Sequence, residues 1–171
     1  KKGTEVVLTI LRGEQKEPQV IKVLRDVINI PTIESQMRSD GVFVIRLFSF
    51  TSESANLFRQ ELRKFVESNS NKLIVDLRGN PGGYLDAAVD IASWFLPQGA
   101  VVVRENQTPV LSDTKVVNVD SEKVLRSKGY DIFSKNLKMA ILINGGSASA
   151  SEILGGALQE YGIAKLVGTQ S

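Results

Sequence analysis

The chain has 171 residues, 42% of them apolar and 23% charged, with 21 basic against 19 acidic side chains and a formal charge of +2. That is the balance of one globular domain with a sizeable core, and acids and bases are interleaved, so there is no electrostatic case for nucleic acid or a membrane surface. Cysteine and histidine are both absent, which excludes disulfides, zinc–sulfur sites, imidazole metal ligation, a Cys-His dyad and a Ser-His-Asp triad.

Glu5 to Leu11 alternates and is rich in Val, Ile and Thr, so it reads as a strand. Gln19 to Ile28 reads as a second, with Glu14, Lys16 and Pro18 in the turn between them. Ile30-Pro31-Thr32 punctuates the chain before a third strand, Val42 to Phe48. Thr51-Ser52-Glu53 predicts a helix start, a hydroxyl to cap free amides and an acid to complement the dipole. Ala55, Phe58, Leu62 and Phe65 then follow at helical spacing. Leu73 to Leu77 is a short apolar strand, Arg78 to Gly83 a loop, and Leu85, Ala88, Val89, Ala92 and Phe95 mark a helix ending near Pro97. Ala100 to Arg104 is another strand. The segment 105–136 is polar and irregular apart from Thr114 to Val119, and predicts a hairpin or short helix as an excursion. Met139 to Ile143 is a buried strand and Asn144 to Ala148 a small-residue loop. A helix with Ile153, Leu154, Ala157 and Leu158 inward stops at Gly162, and Leu166-Val167 starts a last strand. Alternating strands and helices imply an α/β fold with a largely parallel sheet.

Two loops at the C-terminal ends of strands could carry chemistry, the edge where α/β sites gather. In Asp76-Leu77-Arg78-Gly79-Asn80-Pro81-Gly82-Gly83 the glycines allow close backbone approach, and free N–H groups could face an anion or a developing oxyanion. The plainer reading is a tight turn, and no Gly-Lys-Ser/Thr follows to make it a Walker loop. In Asn144-Gly145-Gly146-Ser147-Ala148-Ser149-Ala150-Ser151-Glu152 a serine heading a helix is usually an N-cap, but it can also be a nucleophile. Spacing leaves Ser147, Ser149 and Ser151 open.

Leu73 to Gly83 (LIVDLRGNPGG) resembles the signature segment of the C-terminal processing, or tail-specific, serine peptidases, and Asn144 to Ala157 (NGGSASASEILGGA) resembles their nucleophile segment. Tyr161-Gly162 and Val167-Gly168 fit the stretch downstream of that segment in the family. Gly3-Thr4-Glu5-Val6 and Arg25-Asp26-Val27-Ile28 resemble the junction with a PDZ domain, so residues 1–12 are expected to end a PDZ domain or linker and 13–171 to form a truncated peptidase core. The resemblance implies a core like those of crotonase and Clp protease. It implies Ser149 as nucleophile, the Ala150 amide as one oxyanion donor and Gly82 or Gly83 as the other. It further implies unfolded polypeptide C-termini as substrate, room for a homo-oligomer, no metal or other cofactor, and a site outside the cytoplasm, in periplasm, cell envelope or plastid lumen.

The family activates its serine with a lysine in a Phe-Gly-Lys-Gly run, and no such run occurs in this sequence. Lys165 and Lys138 stand at the starts of strands, where a solvated lysine is the default, and Arg78 stays protonated and cannot be a base. Asp76 and Asp86 form a conceivable acid pair, set against a cap and salt-bridge role. The chain opens without an initiator Met and stops just after a strand-like run, so it reads as a fragment holding the nucleophile but not the base. A non-proteolytic peptide- or ligand-binding module on the same fold is the alternative. A crotonase-type acyl-CoA enzyme ranks last, because the Ser-Ala-Ser-Ala-Ser-Glu run has no purpose there.

Overall fold

The computed structural model describes residues 1–13, 17–27, 31–106, 111–112, 115–116, 122–130, 132–133 and 136–171. The chain divides into two compact units, Lys1–Ile30 and Pro31–Ser171, where the sequence alone suggests a boundary at residues 12 and 13. The first unit is an antiparallel hairpin of β1 (Glu5–Ile10) and β2 (Gln19–Leu24), in register from Glu5 opposite Leu24 to Ile10 opposite Gln19. The second strand is shorter than its apolar pattern suggests. Glu14, Lys16 and Ile28 lie outside the described residues.

The second unit is built on a five-stranded sheet. Its strands in chain order are β3 (Ile33–Met37), β4 (Phe43–Leu47), β5 (Lys72–Asp76), β10 (Lys138–Ile143) and β11 (Ala164–Gly168), and they lie side by side as β11-β10-β5-β4-β3. β4, β5, β10 and β11 are mutually parallel, as the alternation of elements implies, and β3 pairs antiparallel with β4 at one edge. β3 (IESQM) is a strand that the sequence pattern does not reveal. Glu34, Ser35 and Gln36 give it no strand signature of their own, and its pairing with the apolar β4 makes it one.

Side chains on the parallel strands alternate in burial. Phe43, Ile45, Leu47, Leu73, Val75 and Ile141 point into the core, whereas Val44, Ile74, Ala140 and Leu142 are only half-buried. The core face is covered by α1 (Ser54–Glu67), α2 (Leu85–Ala92) and α3 (Ala150–Glu160). On α1 the inward residues are Phe58, Leu62 and Phe65, as their spacing indicates. The expected cap from Thr51-Ser52-Glu53 is corrected. Glu53 is the N-cap and makes no side-chain cap bond, and the buried hydroxyl of Ser54 does the tying, accepting from the Thr51 amide at 2.7 Å and donating to the Ser49 carbonyl at 2.9 Å. Helix α2 ends at Ala92, but Phe95 is buried in the turns beyond it and stacks on Phe133.

Outside this layer, β6 (Val101–Asn106) pairs antiparallel with β9 (Glu122–Arg126), and the short β7 (Leu111–Ser112) with β8 (Lys115–Val116). The excursion is thus made of hairpins among the described residues, and of the Thr114–Val119 run only 115–116 is described. No described helix is long and apolar enough to cross a membrane.

Candidate active site

Parallel strands β5 and β10 are neighbours in the sheet, so the loops leaving their C-terminal ends meet although about 70 residues separate them. Three side chains, those of Asn144, Ser147 and Ser151, and the main-chain carbonyl of Asn80 stitch the two loops together, and the Asn80 side chain ties the glycine loop to the end of β4. Asn80, fully buried, donates from Nδ2 to the Leu47 carbonyl at 2.8 Å and accepts the Gly82 amide on Oδ1 at 2.9 Å. Its carbonyl accepts from the Ala148 amide at 3.1 Å and from Ser151 Oγ at 3.0 Å. Asn144 Oδ1 takes the amides of Gly79 and Gly146, at 2.8 and 3.0 Å. Ser147, also buried, donates its hydroxyl to the Leu77 carbonyl at 2.8 Å and accepts the Asn144 amide at 3.0 Å.

The three serines therefore have different surroundings. Ser147 and Ser151 are buried and their hydroxyls are committed to main-chain carbonyls. Ser149 is exposed, and as the N-cap of α3 it forms a capping box with Glu152, each side chain facing the other residue's backbone amide. Its backbone is at φ 52°, ψ −114°. Only one other described non-glycine residue, Asn69, has a positive φ, and asparagine tolerates that region where serine does not. A serine held in strain at a sharp strand-to-helix turn projects its hydroxyl away from the turn. The Glu152 carboxylate holds this conformation from below, accepting the Ser149 amide on Oε2 at 2.9 Å and Ser171 Oγ on Oε1 at 2.9 Å.

The glycine loop lies directly against Ser149. Gly82 has φ +97°, and a Cβ there would fall 2.7 Å from the Ala148 carbonyl oxygen, 2.8 Å from Ser149 Cβ and 3.0 Å from the Ala150 nitrogen. A side chain cannot fit, which accounts for glycine at this position. Two amides beside Ser149 have no acceptor among the described residues. Ala150 is the first residue of α3, where no upstream carbonyl is in reach. Gly83 is bridged to Phe50 through the flanking groups, with Phe50 donating to the Gly82 carbonyl and Tyr84 to the Phe50 carbonyl, and its own N–H is left over. The Gly82 N–H is spent on Asn80.

The lysines do not approach this point. Lys165 pairs in register with Ala140, so it lies on the half-buried face of the sheet, away from α3 and short of the strand end. Lys138 stands at the start of β10 opposite Lys72. The supposed acid pair is not formed either. Asp76 is engaged by Arg78, which donates from Nε at 2.9 Å, from a terminal nitrogen at 2.7 Å and from its amide at 3.0 Å, while Asp86 sits in the first turn of α2. Among the described residues no group of His, Cys, Asp or Glu could hold a metal ion.

A sequence profile of peptidase family S41 matches residues 41–171. The chain belongs to peptidase family S41. It is 35% identical over 171 residues to a protein of Staphylococcus epidermidis named "Probable CtpA-like serine protease", and 33% identical to one of the same name from Staphylococcus aureus. Both comparisons take in 100% of this chain and 32% of the relative, so the S41 chain spans about a third of the length of these curated relatives. The solved photosystem II D1 C-terminal processing protease superposes with a TM-score of 0.70 at 19% identity, over 97% of this chain and 44% of that one. A lipoprotein from Streptococcus agalactiae superposes with a TM-score of 0.56 at 17% identity, over 81% and 49%. At such identities the likeness establishes the fold, an α/β core shared with S41 proteases.

In the S41 chain the Asp76–Arg78 pair braces the base of the glycine loop, and it makes a testable statement about pH. Burial alone would raise the Asp76 pKa, but hydrogen bonds from the Arg78 side chain and amide, with the charges of Arg78 and Arg46, outweigh it and hold the carboxyl below its ordinary 3.8. A carboxyl depressed in the folded state stabilises the fold above its unfolded pKa, and that contribution fades as pH falls through the folded one. The stability margin of wild type over Asp76→Asn should be full near pH 6 and shrink steadily from about pH 4 downward. Urea midpoints of the two proteins across that range check it, and a margin independent of pH would contradict it.

Proposed function

We propose that this chain carries the nucleophile and oxyanion hole of a serine endopeptidase that cleaves polypeptides near their C-termini. The observation that carries the reading is the strained, exposed Ser149 facing a glycine loop, with two free amides beside it. In this reading Ser149 Oγ attacks the scissile carbonyl carbon as a general base takes the hydroxyl proton, and the carbonyl oxygen becomes an oxyanion held by the Ala150 N–H and a glycine N–H. The protonated base then gives that proton to the leaving amine, and water hydrolyses the acyl-enzyme. Gly83 is favoured over Gly82 as the second donor, because the Gly82 amide already serves Asn80. The base is assigned to a lysine outside these 171 residues. Neither Lys138 nor Lys165 is positioned to serve, and the family match supports a Ser/Lys pair over a histidine the chain does not have.

Substrate binds as an extended strand by main-chain hydrogen bonds, and residues 1–12 are read as the end of a PDZ domain or linker. A position outside the cytoplasm is supported by the D1-processing and lipoprotein names among the structural neighbours. The test is cleavage of an unstructured protein by the 171-residue chain and by the same chain carried on through its native downstream sequence, each with and without Ser149→Ala. Cleavage by the extended form alone, abolished by Ser149→Ala, is the expected result. Equal cleavage by the alanine variant would remove Ser149 from the mechanism, and no cleavage by either form would favour a binding module.

A further inference from the structure

The Gly83 N–H has no acceptor among the described residues, yet its direction is fixed. It shares a planar trans peptide with the Gly82 carbonyl, and in such a plane the two bonds point opposite ways. The Gly82 carbonyl accepts the Phe50 amide at 2.9 Å, so the Gly83 N–H is turned away from Phe50. Phe50 follows β4, and β5, which the glycine loop leaves, lies between β4 and β10. The side turned away from β4 is therefore that of β10, whose loop delivers Ser149. Gly82 and Gly83 both have positive φ, +97° and +139°, and two glycines in succession leave their shared peptide free to rotate unless something holds it.

What holds it is a hydroxyl two peptide planes away. Ser54, fully buried at the head of α1, donates Oγ–H to the Ser49 carbonyl at 2.9 Å and accepts the Thr51 amide at 2.7 Å. Those groups belong to the two peptide planes that flank Phe50. The far end of the first plane is the Phe50 N–H, which reaches the Gly82 carbonyl. The far end of the second is the Phe50 carbonyl, which takes the Tyr84 amide at 2.7 Å. Ser54 thus grips from behind both planes that clamp the glycine pair in front. The buried Phe50 ring fixes where residue 50 sits but not the tilt of its peptide planes. Ser49 Oγ adds a longer contact to the same Gly82 carbonyl, at 3.4 Å. The dipoles also run one way, from Ser54 O–H through the Ser49–Phe50 and Gly82–Gly83 peptides to the free N–H. Each link polarises the next and strengthens the last as a donor.

We propose that Ser54 is a positioning residue for the oxyanion hole, its hydroxyl setting, through the peptide planes of Phe50, the direction and donor strength of the Gly83 N–H. This role rests on the peptidase reading above. Ser54 itself touches no reacting atom. Its effect belongs to the transition state, where the scissile carbonyl oxygen becomes an anion, and so to kcat rather than KM.

The test compares Ser54→Ala with Ser93→Ala in the chain carried on through its native downstream sequence, with wild type and Ser149→Ala alongside. Ser93 is an equally buried serine whose hydroxyl donates to the Val89 carbonyl at 2.7 Å and accepts the Lys128 amide at 2.9 Å. Its removal therefore matches the hydrogen bonds that Ser54→Ala loses without touching the turn at Phe50. Ser54→Ala should lower kcat about tenfold or more with KM held within about twofold, and Ser93→Ala should keep kcat within about twofold of wild type. In the 171-residue chain made with isotope-labelled glycine, the Gly83 amide resonance should move in Ser54→Ala and stay in Ser93→Ala. If a thermal melt shows Ser54→Ala unfolded, Ser54→Cys, close in size but a weak donor, should show the same loss of kcat in smaller degree. A kcat equal to wild type, a loss confined to KM, a fall matched by Ser93→Ala, or an unmoved Gly83 resonance would overturn the proposal and leave Ser149 as nucleophile. Cleavage by none of the forms, or equal cleavage by Ser149→Ala, would instead sink the peptidase reading and take this role with it.

Discussion

Ser149→Gly is expected to abolish cleavage while making the protein more stable. Removing the nucleophile should lower kcat by at least about 10³-fold in the cleavage-competent protein. Glycine adopts φ 52° without the penalty serine suffers there. Against the extra entropy of glycine in the unfolded chain, relief of strain should leave a net gain of about 1 kcal/mol, a rise of roughly 2–4 °C in Tm for a domain of this size. The exchange removes the serine side chain from the capping box with Glu152, which offsets only about a few tenths of a kcal/mol of that gain. Ser147→Ala and Ser151→Ala should behave in the opposite sense. Ser147→Ala strands the Leu77 carbonyl and the Asn144 amide in a buried site, and the cost of such orphaned groups is about 1–3 kcal/mol. Ser151→Ala removes one of the two donors to the Asn80 carbonyl and should cost about 1 kcal/mol. Thermal melts and cleavage assays on the three variants give the comparison. A lowered Tm for Ser149→Gly would show that the turn is not strained and would weaken the case for a nucleophile there.

The second large effect belongs to Asn80. Asn80→Ala would leave the Leu47 carbonyl and the Gly82 amide without partners in a fully buried position, for a loss of about 3–5 kcal/mol. Asn80→Asp isolates the two bonds. Its oxygens still accept the Gly82 amide, but nothing donates to Leu47, and a buried carboxylate has to be desolvated. Both variants should lose more stability than Ser147→Ala by urea denaturation. A cost under about 1 kcal/mol would mean that the glycine loop is held against the end of β4 by something other than this side chain.

Much of the site is legible in the order of residues, and the reasons are local. The apolar runs of β4, β5 and β10 and the helical spacing of Phe58, Leu62 and Phe65 are short-range patterns that a one-dimensional reading can find. β3 escapes because its pairing partner, not its own composition, makes it a strand. Ser149 is one of three candidates on spacing, singled out only by resemblance. Asn80 and Asn144 are visible as turn residues, but their roles depend on partners as far as 65 residues away, which no local signal marks.

Residue order alone set the chemistry available: no imidazole, no thiol, two loops rich in glycine and serine at the ends of buried strands, and a family resemblance long enough to name a nucleophile. Packing then selected which groups are free to act. Parallel pairing of β5 with β10 brings the loops together, buries Ser147 and Ser151 against main-chain carbonyls, and commits the Gly82 amide to Asn80. Ser149 remains, exposed and strained, beside the unclaimed amides of Gly83 and Ala150. A hydroxyl or an amide becomes reactive or inert according to its hydrogen-bond partners and its exposure, and those are fixed only when distant segments meet.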